Sequence, residues 1–223
     1  MKLLLVILIF LNSIFVTSNK RSTDSNKNNL IVEELFENIK FKKWIDFWKL
    51  NIPKLKDYNF EESDTIKRKY SSKIDLAKWF NEREFRNFTL NYSSDRTFVL
   101  DIYSHVGFEH QNDTIYSMGG DVDPSFVIIN TKDSTLYYLT FGPYAFFDES
   151  IWLSDSICYI LGFSFYDSRK IPSEAYSSAF ILKWDFNKNS LVLFKSKKLP
   201  YDNKLMSFQT YMSYLHPNIK KFK

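Results

Sequence analysis

The sequence predicts a mainly β protein, α+β overall: an antiparallel meander of about 7–9 strands built from two repeats, with N-terminal helices packed against it. Three observations predict it. Beyond Phe85, short β-branched and aromatic runs alternate with Asn, Asp and Ser turns. Ahead of them, apolar residues recur at helical spacing. And one cadence, a Ser-Asp turn running into an apolar strand, occurs twice, in "YSSDRTFVLDIYS" from Tyr92 and "WLSDSICYILGFS" from Trp152.

The elements follow in order. Residues 1–18 read as a secretory signal peptide: Lys2, an apolar stretch from Leu3 to Val16, and Val16 and Ser18 at the −3 and −1 positions of a cleavage site. The stretch is shorter than the ~20 apolar residues of a membrane span, so the expected mature chain has no transmembrane span. Residues 19–29, "NKRSTDSNKNN", read as a flexible polar linker. Residues 30–84 read as a helical N-terminal segment. Within it Ile31, Leu35, Ile39, Trp44, Ile45 and Trp48 predict one or two helices over 30–50, with Asn29 as N-cap and Pro53 as the limit. Residues 53–71 are polar and irregular. Ser72 and Asp75 then form an expected capping box before a short helix carrying Ile74, Ala77 and Phe80.

Residues 85–223 read as the antiparallel β domain, with a C-terminal segment after 196. Strands are expected near 86–91, 97–104, 125–130, 135–141, 156–163, 179–186 and 190–195, with a weaker one at 114–118. In "AFILKWDF", Phe180, Leu182, Trp184 and Phe186 share one face. "MSFQTYMSYL" fits helix and strand, with helix the better fit.

Composition narrows the function classes. A formal charge of +4 with scattered lysines gives no concentrated basic face, so no nucleic-acid partner is expected. One cysteine, Cys158, cannot make an internal bridge and reads as a small buried apolar side chain. Export without disulfides fits a bacterial periplasm or the extracellular side. Five glycines leave little room for phosphate-binding loops, and no nucleophile elbow or dinucleotide fingerprint occurs.

The repeat has a measure. Asp95 and Asp155 stand 60 positions apart, and "VIINTKDSTLYYL" from Val127 aligns with "LKWDFNKNSLVLF" from Leu182 at 55. The units run over about 88–141 and 150–196. The first cadence resembles the S-P-D-G turn-strand of bacterial β-propeller blades, with Ser94 and Arg96 where proline and glycine would stand. "ILKWDFNKNSLVLF" resembles a WD-type blade ending. The stretch 85–195 is also similar to small, exported, uncharacterised proteins of Bacteroidota, a group that implies no activity. Two blade-like units cannot close a propeller ring. Stacked meanders, one twisted sheet covered by helices, or a ring completed by oligomers remain open.

Chemistry concentrates in two excursions, 105–124 and 142–150. Asp121 and Asp123, two apart after Gly119 and Gly120, are the candidates for a calcium site. His105, Glu109 and His110 are a second, poorer metal set. Asp121 or Asp123 facing Asp148 or Glu149 would suit hydrolysis by paired carboxylates. Tyr144, Phe146 and Phe147 beside Asp148 would let a sugar or peptide stack. The same acids also serve as ordinary turn caps. The expected function is an exported, non-enzymatic binding or structural module, with Asp121, Asp123, Tyr144, Phe146, Asp148 and Glu149 as ligand-binding candidates and no required cofactor. Its partner would be a protein or glycan of the envelope. The alternatives are an envelope hydrolase and a periplasmic immunity protein.

Overall fold

In the computed structural model the described residues are 35–51, 60–65, 70–112, 114–120, 124–140, 145–166, 176–200, 214–217 and 219–221. The expected signal and linker, and residues 206–213 of the ambiguous stretch "MSFQTYMSYL", lie outside them.

The N-terminal helix is present. A 3-10 turn, Ile39–Phe41, is capped by Asn38, whose side chain accepts from the Lys40 N–H, and leads into helix α1, Lys42–Asn51. Trp44, Ile45, Phe47 and Trp48 are buried along one stripe. Strands β1, Phe60–Thr65, and β2, Tyr70–Lys73, occupy the stretch expected to be irregular. "FEESDT" and "YSSK" hide as strands because each lies at a sheet edge with exposed polar side chains. Helix α2, Leu76–Asn81, takes Asp75 as its N-cap, accepting from the Lys78 N–H at 3.0 Å. Ser72 is therefore not the cap; it pairs with Leu136 as part of β2. A 3-10 segment, Glu84–Thr89, replaces most of the strand expected at 86–91, where Arg86 and Asn87 break the alternation.

The rest is β structure: β3 Leu90–Tyr92, β4 Phe98–Asp101, β5 Val106–Gln111, β6 Thr114–Gly120, β7 Ser125–Asn130, β8 Thr135–Thr140, β9 Ala145–Trp152, β10 Ile157–Tyr166, β11 Tyr176–Asp185, β12 Ser190–Ser196, β13 Leu199–Pro200 and β14 Ile219–Lys221. The class is as expected, with more strands. Of the two excursions, residues 106–111 and 114–120 form the β5–β6 hairpin and residues 145–150 belong to β9.

Three sheets result. The first runs β1-β12-β11-β10-β9, with β13 beside β11. The second runs β2-β8-β7-β4-β3. The third is β14-β6-β5, with β14 parallel to β6. The first two stack face to face around Leu100, Phe126, Ile128, Leu139, Phe147, Cys158, Ile160, Leu182 and Trp184. Val106, Phe108 and Ile219 of the third join the same core. On its outer face the first sheet buries Tyr159, Leu161, Phe163, Ile181 and Phe194 against α1. The second buries Val99, Val127 and Ile129 against Trp79 of α2. Stacked sheets with a helix on each outer face are thus the solution adopted. No helix among the described residues is long and apolar enough to cross a membrane.

The repeat is visible in the pairing. β3-β4-β7-β8 and β9-β10-β11-β12 are four-stranded antiparallel meanders, and each takes a strand from the N-terminal segment beside its last member. Tyr92 pairs with Val99 as Trp152 pairs with Cys158, so the offset is 60 before the Ser-Asp turn and 59 after it. The second turn is one residue shorter than the first. The later hairpins match at 55 throughout: Ser125 with Thr140, and Phe180 with Lys195. Ser134 (φ 58) and Asn189 (φ 49), also 55 apart, carry the left-handed turn residue in each. The two Ser-Asp turns touch, the Asp95 N–H donating to the Asp155 carboxylate at 2.9 Å.

Candidate functional site

The chemistry gathers where β9 meets α1. β9 pairs with β10 as Glu149 with Leu161 and then Phe147 with Gly162, leaving Asp148 as the extra residue of a β-bulge. A bulge re-aims side chains. Phe147 points into the central core, while Asp148 reaches α1. Gly162 makes this possible. A Cβ there would lie 2.0 Å from the Phe146 carbonyl oxygen and 2.7 Å from Cζ of Phe180.

Asp148 is only 3% exposed. Its Oδ2 accepts from Trp44 Nε1 at 3.0 Å and from Trp48 Nε1 at 2.9 Å. The i,i+4 spacing puts both indoles on one face of α1, and Phe163 packs against both rings. Burial pushes the Asp148 carboxyl up to about 7; the two indole N–H groups pull it down, and the Glu149 charge pushes it further up. The Tyr103 hydroxyl donates to the Asp148 carbonyl at 2.7 Å. Burial first, then Glu149, Asp148 and Asp101, push that phenol well above its usual range.

β9 is an edge strand, and side chains seal its edge. Its alternate carbonyls, those of Asp148, Ser150 and Trp152, accept from Tyr103, from Asn91 Nδ2 (2.5 Å) and from Lys40 Nζ (2.6 Å). No added strand can use these acceptors without displacing three donors. The Trp152 indole in turn donates to the Asn91 carbonyl at 3.1 Å. Beside this seam lies a groove of about 460 Å³, whose lining includes Lys40, Lys43, Asn91, Glu149, Ser150 and Trp152.

The sequence-chosen residues divide as follows. Asp148 and Glu149 come together at the bulge but face different surroundings: Asp148 is sealed under tryptophan, whereas Glu149 lines the groove. Phe146 is half-buried on β9 against the central core, not displayed on a loop. Asp121, Asp123 and Tyr144 lie outside the described residues. His105 bonds the Ser125 carbonyl through Nδ1 at 2.9 Å, and Glu109 accepts from Gln111. Glu109 and His110 are neighbours on a strand and so point to opposite faces. Among the described residues no group of three or more His, Cys, Asp or Glu is arranged to hold a metal. Cys158 is fully buried, and burial pushes its thiol well above its ordinary range, consistent with a core side chain.

Sequence reasoning missed Lys40, Lys43, Asn91 and Gly162, and took Trp44 and Trp48 as apolar alone. One signal was available: Asp148, Glu149 and Ser150 interrupt an otherwise apolar run, "AFFDESIW". No protein-family model, curated protein or solved structure matches the chain.

Proposed function

We propose that this chain is a non-enzymatic binding module, exported to the bacterial envelope, whose contact surface includes the groove between β3, β9 and the start of α1. One observation carries the reading. The groove draws polar and charged side chains from four elements, Lys40 of the 3-10 turn, Lys43 of α1, Asn91 of β3, and Glu149 with Ser150 of β9, into about 460 Å³. That volume is in the range of small-ligand sites. Lysines of one sign and a glutamate of the other suit a ligand with many hydrogen-bonding groups, such as a short peptide or a glycan. The sealed edge of β9 argues that the ligand enters the groove instead of extending the sheet.

A hydrolase is the second reading, favoured by the Asp148 carboxyl being held near neutrality. Against it, Asp148 is not in the groove lining and its Oδ2 is held by two indoles.

A thermal-shift screen of the full chain against envelope glycans and short peptides tests the module. A ligand at 100 times its dissociation constant should stabilise the fold by ~2.7 kcal/mol, and Lys43→Glu should abolish the shift. Hydrolysis of any of these compounds, lost in Asp148→Asn, would favour the second reading. A flat response to all of them removes the groove as the contact surface.

A further inference from the structure

The two meanders do not meet as two-fold partners. Two-fold packing would bring equivalent side chains into the same interface. Here each side chain that the first unit turns inward matches one that the second turns outward. Leu100, Phe126 and Leu139 fill the central core, while their equivalents Tyr159, Ile181 and Phe194 lie under α1. Conversely Val99, Ile129 and Tyr138 lie on the α2 side, while their equivalents Cys158, Trp184 and Leu193 fill the central core. The offsets are the 59 and 55 set by the strand pairing.

The contact is therefore head to tail. A heterologous contact of this kind does not use itself up. One member keeps a free copy of the first face, the other a free copy of the second, and the row can continue. Rows of stacked units need caps with polar outer sides to stop. α1 sits on the outer face of the first sheet, which corresponds to the face the first unit presses into the core. α2 sits on the outer face of the second sheet, which corresponds to the face that receives it.

We propose that α1 and α2 are caps standing where further units would stack, and that the two sheet faces beneath them form a matched interaction surface whose partner is a second copy of this chain. The central interface is the template for that contact: Leu100, Phe126 and Leu139 of the core are matched on the α1 face by the apolar Tyr159, Ile181 and Phe194, while Ile128 is matched by Lys183. The caps are unequal. α1 has ten residues and, among its described side chains, buries Trp44, Ile45, Phe47 and Trp48; α2 has six residues and buries Trp79 alone. The α2 face is the first to open.

Two variants of the full chain test this. Trp44→Glu with Trp48→Glu undocks α1, and Trp79→Glu undocks α2. Each alone frees one face, and every other copy still covers its match, so each should sediment as a monomer. Mixed one to one, they should form a particle of twice the mass that grows no further, because one cap remains at each end. The triple variant should form chains that lengthen with concentration. Circular dichroism checks that each variant keeps its sheets, and where one does not, Trp48→Gln and Trp79→Gln take their places. A mixture that stays monomeric with the sheets intact overturns the proposal. So does self-association of either single-cap variant alone, because that requires a face to pair with itself.

Discussion

The two helices cover comparable sheet faces by different chemistry. Beneath α2 the contact is apolar, with Trp79 against Val99, Val127 and Ile129, and part-exposed Arg83 lies over the indole at 4.2 Å. Beneath α1 a carboxyl is buried and bonded only to neutral indole donors among the described residues. An apolar contact holds alike at every pH. A buried carboxyl without a cation does not, because burial disfavours its charged form. The comparison teaches that α1 is docked by a proton-sensitive device and α2 is not.

The largest expected effect follows from that difference. The folded Asp148 holds its proton up to about 7, against an ordinary value of 3.8 when unfolded. Between those values the native state binds the extra proton, so stability is highest below about 4, falls as pH rises towards 7, and is flat above. The total is about 4 kcal/mol. Urea unfolding of the full chain from pH 4 to pH 8 should show this decline, and Asp148→Asn should remove it. Asp95 works in the opposite sense: the Thr97 hydroxyl and N–H hold its carboxyl well below 3.8, so its contribution is present above that value and lost in stronger acid. A decline towards pH 8 that survives Asp148→Asn would end the account of the α1 interface.

Next comes the bulge itself. Gly162→Ala places a methyl group 2.0 Å from a backbone oxygen, which cannot move aside as a flexible side chain would. Overpacking costs about 1–3 kcal/mol and more where backbone must shift, so about 3 kcal/mol is expected in denaturant unfolding. The same position in the first unit falls at Tyr103, beyond the end of β4 and outside the β3–β4 pairing. Tyr103→Phe should cost only about 1 kcal/mol, through the lost hydrogen bond to the Asp148 carbonyl. Equal losses at Gly162 and Tyr103 would mean that the bulge is not the tight point.

Smaller still is the loss of one indole donor. Trp48→Phe keeps a ring against Phe163 but leaves the carboxyl with Trp44 alone. About 2 kcal/mol is expected at pH 8 from the weakened satisfaction of a buried acceptor, with the midpoint of the pH decline moving upward. Trp79→Phe, at the other helix, should leave the pH dependence untouched. A midpoint unchanged in Trp48→Phe would show that the indole N–H does not hold the charge.

These residues also show what could be read beforehand. The repeat was legible because its turns use Asp95, Asp155, Ser134 and Asn189, whose spacing needs no partner to be seen. Trp184 and Leu182 announced their face by strict alternation. β9 was not legible, because a bulge breaks that alternation: Asp148 and Glu149 follow one another outside the central core. Acids there, with Gly142 and Pro143 upstream, look like a loop. The tryptophan clamp was hidden for another reason. Trp44 and Trp48 meet a partner 104 and 100 positions away, and apolar periodicity reports which side of a helix is buried, not what waits beneath it.

The smallest effect separates the two hairpin turns. Ser134 and Asn189 hold equivalent left-handed positions, with φ of 58 and 49. That conformation costs an ordinary L-residue roughly 1–2 kcal/mol, whereas asparagine visits it with less strain. Glycine removes the strain but brings a more flexible unfolded chain, which offsets about 0.5–1 kcal/mol. Ser134→Gly should therefore stabilise by about 0.5 kcal/mol, and Asn189→Gly should change little or destabilise slightly. Thermal unfolding of the two variants side by side measures the difference. If Asn189→Gly gained more than Ser134→Gly, side-chain chemistry would not be what sets the cost of the turn, and the two repeats would owe their matched geometry to the flanking strands alone.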